Sequence, residues 1–242
     1  MLIRWATEKE KQSHRYDVYG KHDVLAAVDR MTGMVLGIIG FSRKKNEIGE
    51  AQIFDRSKEK TIREKLQLCA ERQCNPIGNS FHYRFPEYEK ESQKEFCPCC
   101  NNEPMPAGLD DIAELEFSWV TAERIAQGRL FGKCHVLCKK HYVHLFDMTE
   151  DDLLGFMNDV QKAAKALQEV TGAVKINYEI HGNSGPHLHC HLFPRYLDDD
   201  FPGKAIDIKL IEPSPYESDE EFEWFFNKMK EKLGGGQTPK RT

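Results

Sequence analysis

The chain has 242 residues, of which 30% are charged, and its formal net charge at pH 7 is -5. This length is enough for one large domain or two small ones with a substantial core. The mean hydropathy is -0.62, no apolar run reaches the length of a membrane span, and the charged N-terminus lacks the apolar core of a signal peptide. The composition therefore predicts a cytoplasmic protein with no membrane partner.

An acidic segment near the C-terminus bears on the choice of partner. Residues 198–223 contain ten acidic side chains and two lysines. Such a segment repels a phosphate backbone, so binding to nucleic acid is not expected.

Residues 1–94 are predicted to form an N-terminal extension whose structure the pattern defines only in part. Two apolar runs, Asp23–Arg30 and Met34–Phe41, flank a turn at Gly33 and predict a β-hairpin. Ser57–Arg72 has the spacing of a surface helix with one apolar stripe. The stretch Cys74–Glu95 is rich in Pro, Asn and Glu and is interpreted as a linker.

The eight cysteines are clustered, which in a reducing compartment favours metal binding or buried thiols over disulfides. Cys97 and Cys100 form a C-x-x-C, and two thiolates at that spacing can bind one Zn²⁺ from a tight turn. Cys99 is an equally good donor, so it could replace one of them. The triplet could also have a redox or packing role.

The middle of the chain predicts strands followed by a long helix. Glu114–Val120 alternates polar and apolar residues, and Leu130–Cys138 is a second strand candidate. Thr149 is the predicted N-cap of a helix that ends at Gly172 and has apolar residues along one face. This helix is expected to cover one face of a sheet.

Four of the ten histidines lie between Val174 and Tyr196. Val174–Ile180 and His187–Phe193 have the composition of strands, and residues 182–186 have that of a turn. The second strand therefore begins with a histidine at every other position.

Alternation places the three histidines of this strand, His187, His189 and His191, on one face of the sheet. A row of imidazoles can bind a metal ion, transfer protons, or attack as a nucleophile through a neutral ring nitrogen.

The run His187-Leu188-His189-Cys190-His191-Leu192-Phe193, followed by Pro194-Arg195, resembles the signature of the histidine triad (HIT) family. Members of that family are nucleotide hydrolases and nucleotidyl transferases. Val136–His141 resembles the family's strand that ends in Lys-x-His before the long helix. The resemblance extends from about Arg129 to Tyr196.

The resemblance implies an α+β, HIT-like fold with an antiparallel sheet and a long packing helix. The implied catalytic domain covers residues 95–212. It would follow the N-terminal extension and precede an amphipathic helix and a disordered tail in residues 213–242.

The resemblance also implies a metal site. Many HIT proteins have a C-x-x-C whose zinc is completed by the His of the Lys-x-His strand and by the first His of the triad. At the matching positions this chain has Cys97, Cys100, His141 and His187. Two sulfur and two nitrogen ligands suit tetrahedral Zn²⁺ in a closed, structural site.

By the same resemblance, His189 is the nucleophile that attacks the α-phosphorus of a nucleotide, and His191 donates a hydrogen bond to a phosphoryl or bridging oxygen. Substrate contacts are expected from Asn177 on the preceding strand and from the turn residues Asn183, Ser184 and Gly185.

Other residues are weighed against the same pattern. One of the aromatic residues Phe117, Trp119 and Phe131 could lie against a base. His135 and His144 match no family position and are predicted to have no role in the site.

The expected function is a zinc-containing nucleotide hydrolase or nucleotidyl transferase that cleaves a phosphoanhydride or phosphoramidate through a nucleotidyl-histidine. One alternative is a metal-dependent hydrolase whose histidines bind a catalytic ion, with Asp198–Asp200 as the nearest carboxylates. The other is a non-catalytic nucleotide-binding zinc module. Family members often form dimers, so a homodimer is also considered.

Overall fold

The computed structural model describes residues 1–14, 23–101, 103, 108–125, 129–207, 210 and 212–234. The chain divides into two compact units, Met1–Glu89 and Lys90–Thr242. Among the described residues, no helix is both long enough and apolar enough to cross a membrane. The tail that the sequence predicts to be disordered is residues 234–242, and all of it after Gly234 lies outside the described part.

The first unit is built on a five-stranded antiparallel sheet in the order β1-β2-β3-β4, with β5 also paired to β3. Its elements, in chain order, are β1 (Leu2–Trp5), α1 (Glu8–Ser13), β2 (Asp23–Val28), β3 (Val35–Ser42), β4 (Glu47–Ile48), β5 (Gln52–Ile53) and α2 (Glu59–Cys74). A further helix, α3 (Phe85–Glu91), spans the boundary at Glu89.

The predicted hairpin is present as β2 and β3, and Gly33 in its turn has a φ of +71°. The predicted surface helix is α2, and it covers the sheet, because Ile62, Leu66 and Ala70 are fully buried in the core of this unit. The stretch interpreted as a linker contains α3, whose first residue, Phe85, stacks on Trp5 with ring centroids 5.9 Å apart.

The second unit contains the histidine-rich strand. Its antiparallel sheet has the order β6-β7-β8-β10-β9. Its elements are β6 (Leu109–Glu114), β7 (Ser118–Glu123), β8 (Cys134–Cys138), α4 (Glu150–Thr171), β9 (Lys175–Glu179), β10 (His189–Arg195) and α5 (Asp219–Lys232). The unit is an α+β fold, as the sequence predicts.

The long helix α4 begins and ends at the predicted residues. The Thr149 side chain accepts a hydrogen bond from the backbone of Asp152, and Gly172 has a φ of +68°. Phe156, Val160 and Leu167 on the inner face of α4 are buried against one face of the sheet. An N-cap, an apolar stripe and a C-terminal glycine together define this helix locally.

Helix α4 covers one face of the sheet, and the side chains on the other face are not covered by it. Cys190 and Leu192 of β10, and Cys134 and Val136 of β8, belong to the core beneath α4. Because side chains alternate along a strand, His135 of β8 and His189 and His191 of β10 point to the opposite face.

The predicted strand Glu114–Val120 is wrong. β6 ends at Glu114, β7 begins at Ser118, and the backbone N–H of Leu115 donates to the carbonyl of Ser118 at 2.8 Å. The buried carboxylate of Asp159 on α4 holds this turn by accepting from the Phe117 N–H at 2.8 Å and from the Ser118 hydroxyl at 3.0 Å. The other predicted strand, Leu130–Cys138, is shorter in the structure and begins at Cys134.

The C-terminal helix α5 packs on the core of the same unit. Phe222, Phe225 and Met229 are buried there together with residues of α4. Ser218 caps its N-terminus by accepting from the backbone of Glu221.

We expect Gly155→Ala to destabilise the second unit. A Cβ at position 155 would lie 2.5 Å from ring carbons of Phe117. Overpacking of this kind costs about 1–3 kcal/mol, more than the roughly 1 kcal/mol of helix propensity that alanine gains over glycine. Urea unfolding should therefore show a lower midpoint.

The adjacent, exposed Leu154 provides the control, since Leu154→Ala should change the free energy of unfolding by no more than about 0.5 kcal/mol. Equal stability of Gly155→Ala and the unchanged protein would contradict this account of the turn.

Candidate active site and metal centre

Two cysteines and two histidines meet beside the end of β8 and the start of β10. Cys97 and Cys100 lie in a turn, His141 follows β8 by three residues, and His187 precedes β10 by two. Since β8 and β10 are neighbouring strands, the two histidines are brought together by the sheet. One ligand atom from each of the four residues lies within 4.8 Å of all the others.

The two imidazoles of this Cys/His cluster have their Nδ1 atoms turned towards the sulfurs. Nδ1 of His187 is 3.4 Å from Cys97 Sγ and 3.6 Å from Cys100 Sγ, and Nδ1 of His141 is 3.4 Å from Cys100 Sγ. Ligands at zinc bond lengths and tetrahedral angles are about 3.6 Å apart. The spacing therefore fits a four-coordinate metal ion.

The other ring nitrogens of the cluster are held by backbone carbonyls. Nε2 of His187 donates to the carbonyl of Cys138 at 2.6 Å, and Nε2 of His141 donates to the carbonyl of Ser92 at 2.9 Å. Hydrogen bonds of this kind fix the tautomer and the orientation of a ligating histidine. Both Nδ1 atoms are thereby left with a lone pair for a metal ion.

The protonation state of Cys100 also bears on metal binding. Burial and the neighbouring Cys97 raise the pKa of Cys100 to about 12. A bound divalent cation favours the thiolate and removes this penalty. Cys99, weighed as an alternative ligand, lies outside the four-residue cluster. The cluster could thus hold a metal ion.

His189 and His191 form a directly contacting pair on the open face of β10. Nδ1 of His189 donates to the carbonyl of His187 at 2.7 Å, and the two Nε2 atoms of the pair are 3.1 Å apart. Because the proton of His189 is on Nδ1, its Nε2 carries a lone pair. The contact between the two Nε2 atoms is then a hydrogen bond donated by His191.

The remaining nitrogen of His191 agrees with this arrangement of protons. Its Nδ1 is buried and has no hydrogen-bond partner within the described part of the chain. A bare lone pair is less costly in that position than an unsatisfied N–H. The pair therefore shares a single proton between its two Nε2 atoms.

The surroundings keep the pair neutral. Burial lowers the pKa of His189, and burial, His189 and Lys133 lower the pKa of His191 to about 2. An imidazole can act as a nucleophile only in its neutral form.

His135 lies against this pair, although the sequence predicts no role for it. It is the register partner of His191 on β8, its ring centroid is 4.6 Å from that of His191, and the distance to the His189 ring is 6.2 Å. Burial and Lys133 hold the pKa of His135 well below its usual value. The proximity of His135 to His191 depends on how β8 is aligned with β10. The sequence of either strand alone does not reveal that alignment.

A cleft of about 280 Å³ lies beside His189. The residues that line it come from the segment before α4, from the turn between β9 and β10, and from the start of the triad: Val143, His144, Leu145, Phe146, Ile180, His181, Gly182, Leu188 and His189. His181 and His144, neither assigned from the sequence, therefore face the same cleft as His189.

The residues predicted to contact substrate are spread over β9 and its turn. Asn177 is half-buried and is the register partner of Phe193, on the same face of the sheet as His191. Asn183 and Ser184 are exposed in the turn, and Gly185 is half-buried there.

Of the three aromatic candidates for a base contact, Trp119 lies on the open face. It pairs with Leu137, which in turn pairs with His189. Phe117 instead packs over Gly155 of α4, and Phe131 packs against Tyr216 with ring centroids 5.2 Å apart.

Two of the carboxylates considered as ligands for a catalytic ion are engaged elsewhere. Asp199 forms two hydrogen bonds with Arg195, at 2.7 and 2.9 Å, and Asp200 is 2.6 Å from Arg129. His187 faces the two thiols. This arrangement disfavours a catalytic metal bound by all three histidines.

Comparison with known proteins identifies relatives of this unit. The family model of the HIT domain matches residues 118–198. An uncharacterized HIT-like protein of Methanocaldococcus jannaschii is 29% identical over 122 residues, which are 48% of this chain and 90% of that protein.

Histidine triad proteins are also among the solved structures with some likeness to this chain. A histidine triad protein from Bradyrhizobium japonicum has a TM-score of 0.47 and 20% identity, with 54% of this chain and 97% of that chain covered. A Zn-bound histidine triad family protein from Mycobacterium smegmatis has a TM-score of 0.40 and 21% identity, with 58% of this chain and 92% of that chain covered.

We expect His191 to stay neutral as the pH falls from 8 to 5. A lowered pKa means that the proton binds only below the usual range near 6.5, so no titration of this ring should occur in that interval. Nitrogen-15 NMR of labelled histidines should show a constant His191 signal and a His189 ring protonated on Nδ1. A midpoint near 6.5 for His191 would contradict the proton arrangement of the pair.

Proposed function

The chain contains a HIT domain, and from this premise we propose that it is a hydrolase or nucleotidyl transferase that cleaves nucleotide phosphoanhydrides or phosphoramidates through a nucleotidyl-His189 intermediate. The observation that carries the proposal is the bond from Nδ1 of His189 to the carbonyl of His187. It places a lone pair, and not a proton, on Nε2 of a ring that borders the cleft.

The first half of the reaction is a displacement at the α-phosphorus. Nε2 of His189 forms a bond to phosphorus as the bond to the leaving group breaks. In the free protein this lone pair is occupied by the hydrogen bond from His191, at an Nε2 separation of 3.1 Å. A bound phosphoryl oxygen accepts that hydrogen bond instead, which frees the nucleophile and stabilises the charge that develops on the oxygen.

The second half regenerates the enzyme. Water, or another acceptor, attacks the nucleotidyl-histidine and releases His189. A covalent intermediate divides one difficult displacement into two easier ones. The open face of the sheet offers Asn177 and Trp119 for the nucleoside, and the turn after β9 offers Asn183, Ser184 and Gly185 for the phosphate.

We assign zinc to the Cys/His cluster with a structural role. Cys97, Cys100, His141 and His187 would supply four protein ligands, which is the number typical of a closed structural zinc site. A zinc ion bound by these residues would hold the cysteine turn against the ends of β8 and β10. Of the four proposed ligands, His187 bears on the reaction, because its carbonyl accepts from Nδ1 of His189 and the position of that carbonyl depends on that of the ring.

We expect Cys97→Ser to lose the metal and lower the free energy of unfolding by about 3 kcal/mol or more, because loss of a structural metal is among the largest single-residue effects. Metal content after gel filtration and thermal unfolding are the measurements. Cys99→Ser is the matched control and should keep both values. If Cys99→Ser instead loses the metal, the ligand assignment is wrong.

We expect His189→Ala to abolish turnover, by a factor of about 10⁴ or more, because the covalent route is lost with its nucleophile. The folded state and the metal content should be unchanged. Intact-mass spectrometry of the unchanged protein, quenched during turnover of a nucleotidyl phosphoramidate or a dinucleoside polyphosphate, should show one added nucleotidyl group on His189.

The outcome separates the proposal from its alternatives. Turnover that requires added metal and shows no adduct would favour the metal-dependent hydrolase, and tight binding without turnover would favour a nucleotide-binding module. Retention of most of the rate by His189→Ala would refute the covalent mechanism.

A further inference from the structure

A second acid–base group borders the site, contributed by the turn after β9. His181 follows the last residue of β9 by two positions, and its Nε2 is 2.6 Å from the carboxylate of Glu179. Glu179 is the register partner of His191, so its side chain rises on the same face of the sheet as the histidine pair. A carboxylate bonded to one imidazole nitrogen orients the ring for proton transfer at the other.

His181 is close to the reacting atoms. Its ring centroid lies 5.5 Å from that of His191, and its side chain lines the same cleft as His189. The side chain of Glu179 is 17% exposed and that of His181 is 41% exposed. The carboxylate is therefore shielded, whereas the imidazole is accessible to a bound molecule and to water.

The proton inventory of the triad shows what His181 could supply. His189 commits its only proton to the carbonyl of His187, and His191 holds the one proton between the two Nε2 atoms. Once His191 has turned that proton to a phosphoryl oxygen, the pair has none for the departing group. An alkoxide or amine leaving group needs a proton as its bond to phosphorus breaks.

We propose that His181, oriented by Glu179, is the catalytic acid that protonates the leaving group and the base that activates water in the second step. This inference rests on the proposed function and extends it to substrates with poor leaving groups, such as nucleotidyl phosphoramidates of alkylamines.

The protons and electron pairs balance over the cycle. In the first step, the Nε2 lone pair of His189 forms the N–P bond, the bond from phosphorus to the leaving atom breaks, and its electron pair stays on that atom. The leaving atom takes the Nδ1 proton of His181, which begins the step protonated on both ring nitrogens and ends it neutral, with its Nε2–H still on Glu179.

In the second step, a water oxygen forms a bond to phosphorus as the N–P bond breaks and its electron pair returns to His189. One proton of the water passes to Nδ1 of His181. The cycle therefore ends with the protonation states with which it began.

The test compares two substrates that differ in their need for an acid. The first substrate is a nucleoside 5′-monophosphate p-nitrophenyl ester, whose leaving group is stable as an anion. The second is a nucleoside 5′-phosphoramidate of an alkylamine. Both contain the nucleoside whose derivatives the unchanged protein turns over fastest. We expect His181→Gln to lower kcat/KM for the phosphoramidate by about 10²- to 10⁴-fold. The value for the p-nitrophenyl ester should fall by less than about 10-fold.

Turnover of the ester also tests whether the variant is folded and whether the proposed covalent mechanism through His189 holds. If His181→Gln turns over the ester and forms the His189 adduct, the variant is folded and the covalent mechanism stands. His82→Gln, a matched change at an exposed histidine in the first unit, should leave both rates unchanged. Equal losses on the two substrates, or no loss on the phosphoramidate, would overturn the role of His181 and leave the proposed function intact.

Two further measurements separate an acid from a structural contact. Imidazole in solution should restore phosphoramidate turnover to His181→Ala, since the position is accessible. Glu179→Gln keeps a hydrogen-bonding group and loses the charge, so it should produce a smaller loss that is again confined to the phosphoramidate. A positioning role for Glu179 fails if both substrates are affected alike, and the acid role of His181 fails without rescue by imidazole.

Discussion

The arrangement of the second unit depends on the hydrogen bonds made by one residue, His187. Its Nδ1 faces the two thiols, its Nε2 donates to the carbonyl of Cys138, and its own carbonyl accepts from Nδ1 of His189. The next residue is held on both sides, since the Leu188 N–H donates to Tyr142 and the Leu188 carbonyl accepts from Cys138. A displacement of the His187 ring would therefore move the carbonyl that fixes the tautomer of His189. The proposed metal site and the proposed orientation of His189 as nucleophile would in this way both depend on one backbone position.

Buried polar residues beside the histidine pair, on the same face of the sheet, add an electrostatic constraint. Lys133 is fully buried, is paired with Glu123, and lies over the ring of Phe193, while His135 contacts His191. Burying charged groups is costly even when they are paired. Here the cation and the low-dielectric surroundings both disfavour a proton on His191, and this keeps the pair in the form that can act as nucleophile and donor. Wholly apolar residues in these positions would supply the desolvation but not the positive charge.

In the second unit, the local sequence pattern predicts features within one strand or helix, but not contacts that depend on how strands pair. Two-residue alternation is a property of a single strand, so the triad spacing alone placed His189 and His191 on one face, and the caps of α4 were equally local. The contact of His135 with His191 depends on the register of β8 against β10, and the proximity of Glu179 depends on that of β9, which no single segment contains. The turn within Glu114–Val120 is held by Asp159, which is forty-two residues from Phe117. Alternation alone therefore predicted one strand where the structure has a turn between β6 and β7.

The distribution of histidines over the sheet suggests a division of tasks set by solvent access. His189 and His191 belong to a central strand, flanked by β8 and β9, and burial keeps them neutral. A group so shielded is a poor route for exchanging protons with water between turnovers. His181 lies on a turn at the edge of the same cleft, where its ring meets both the site and solvent. Nucleophilic attack requires a desolvated, neutral ring and proton exchange requires a wet one, so two histidines in different surroundings can meet demands that one could not.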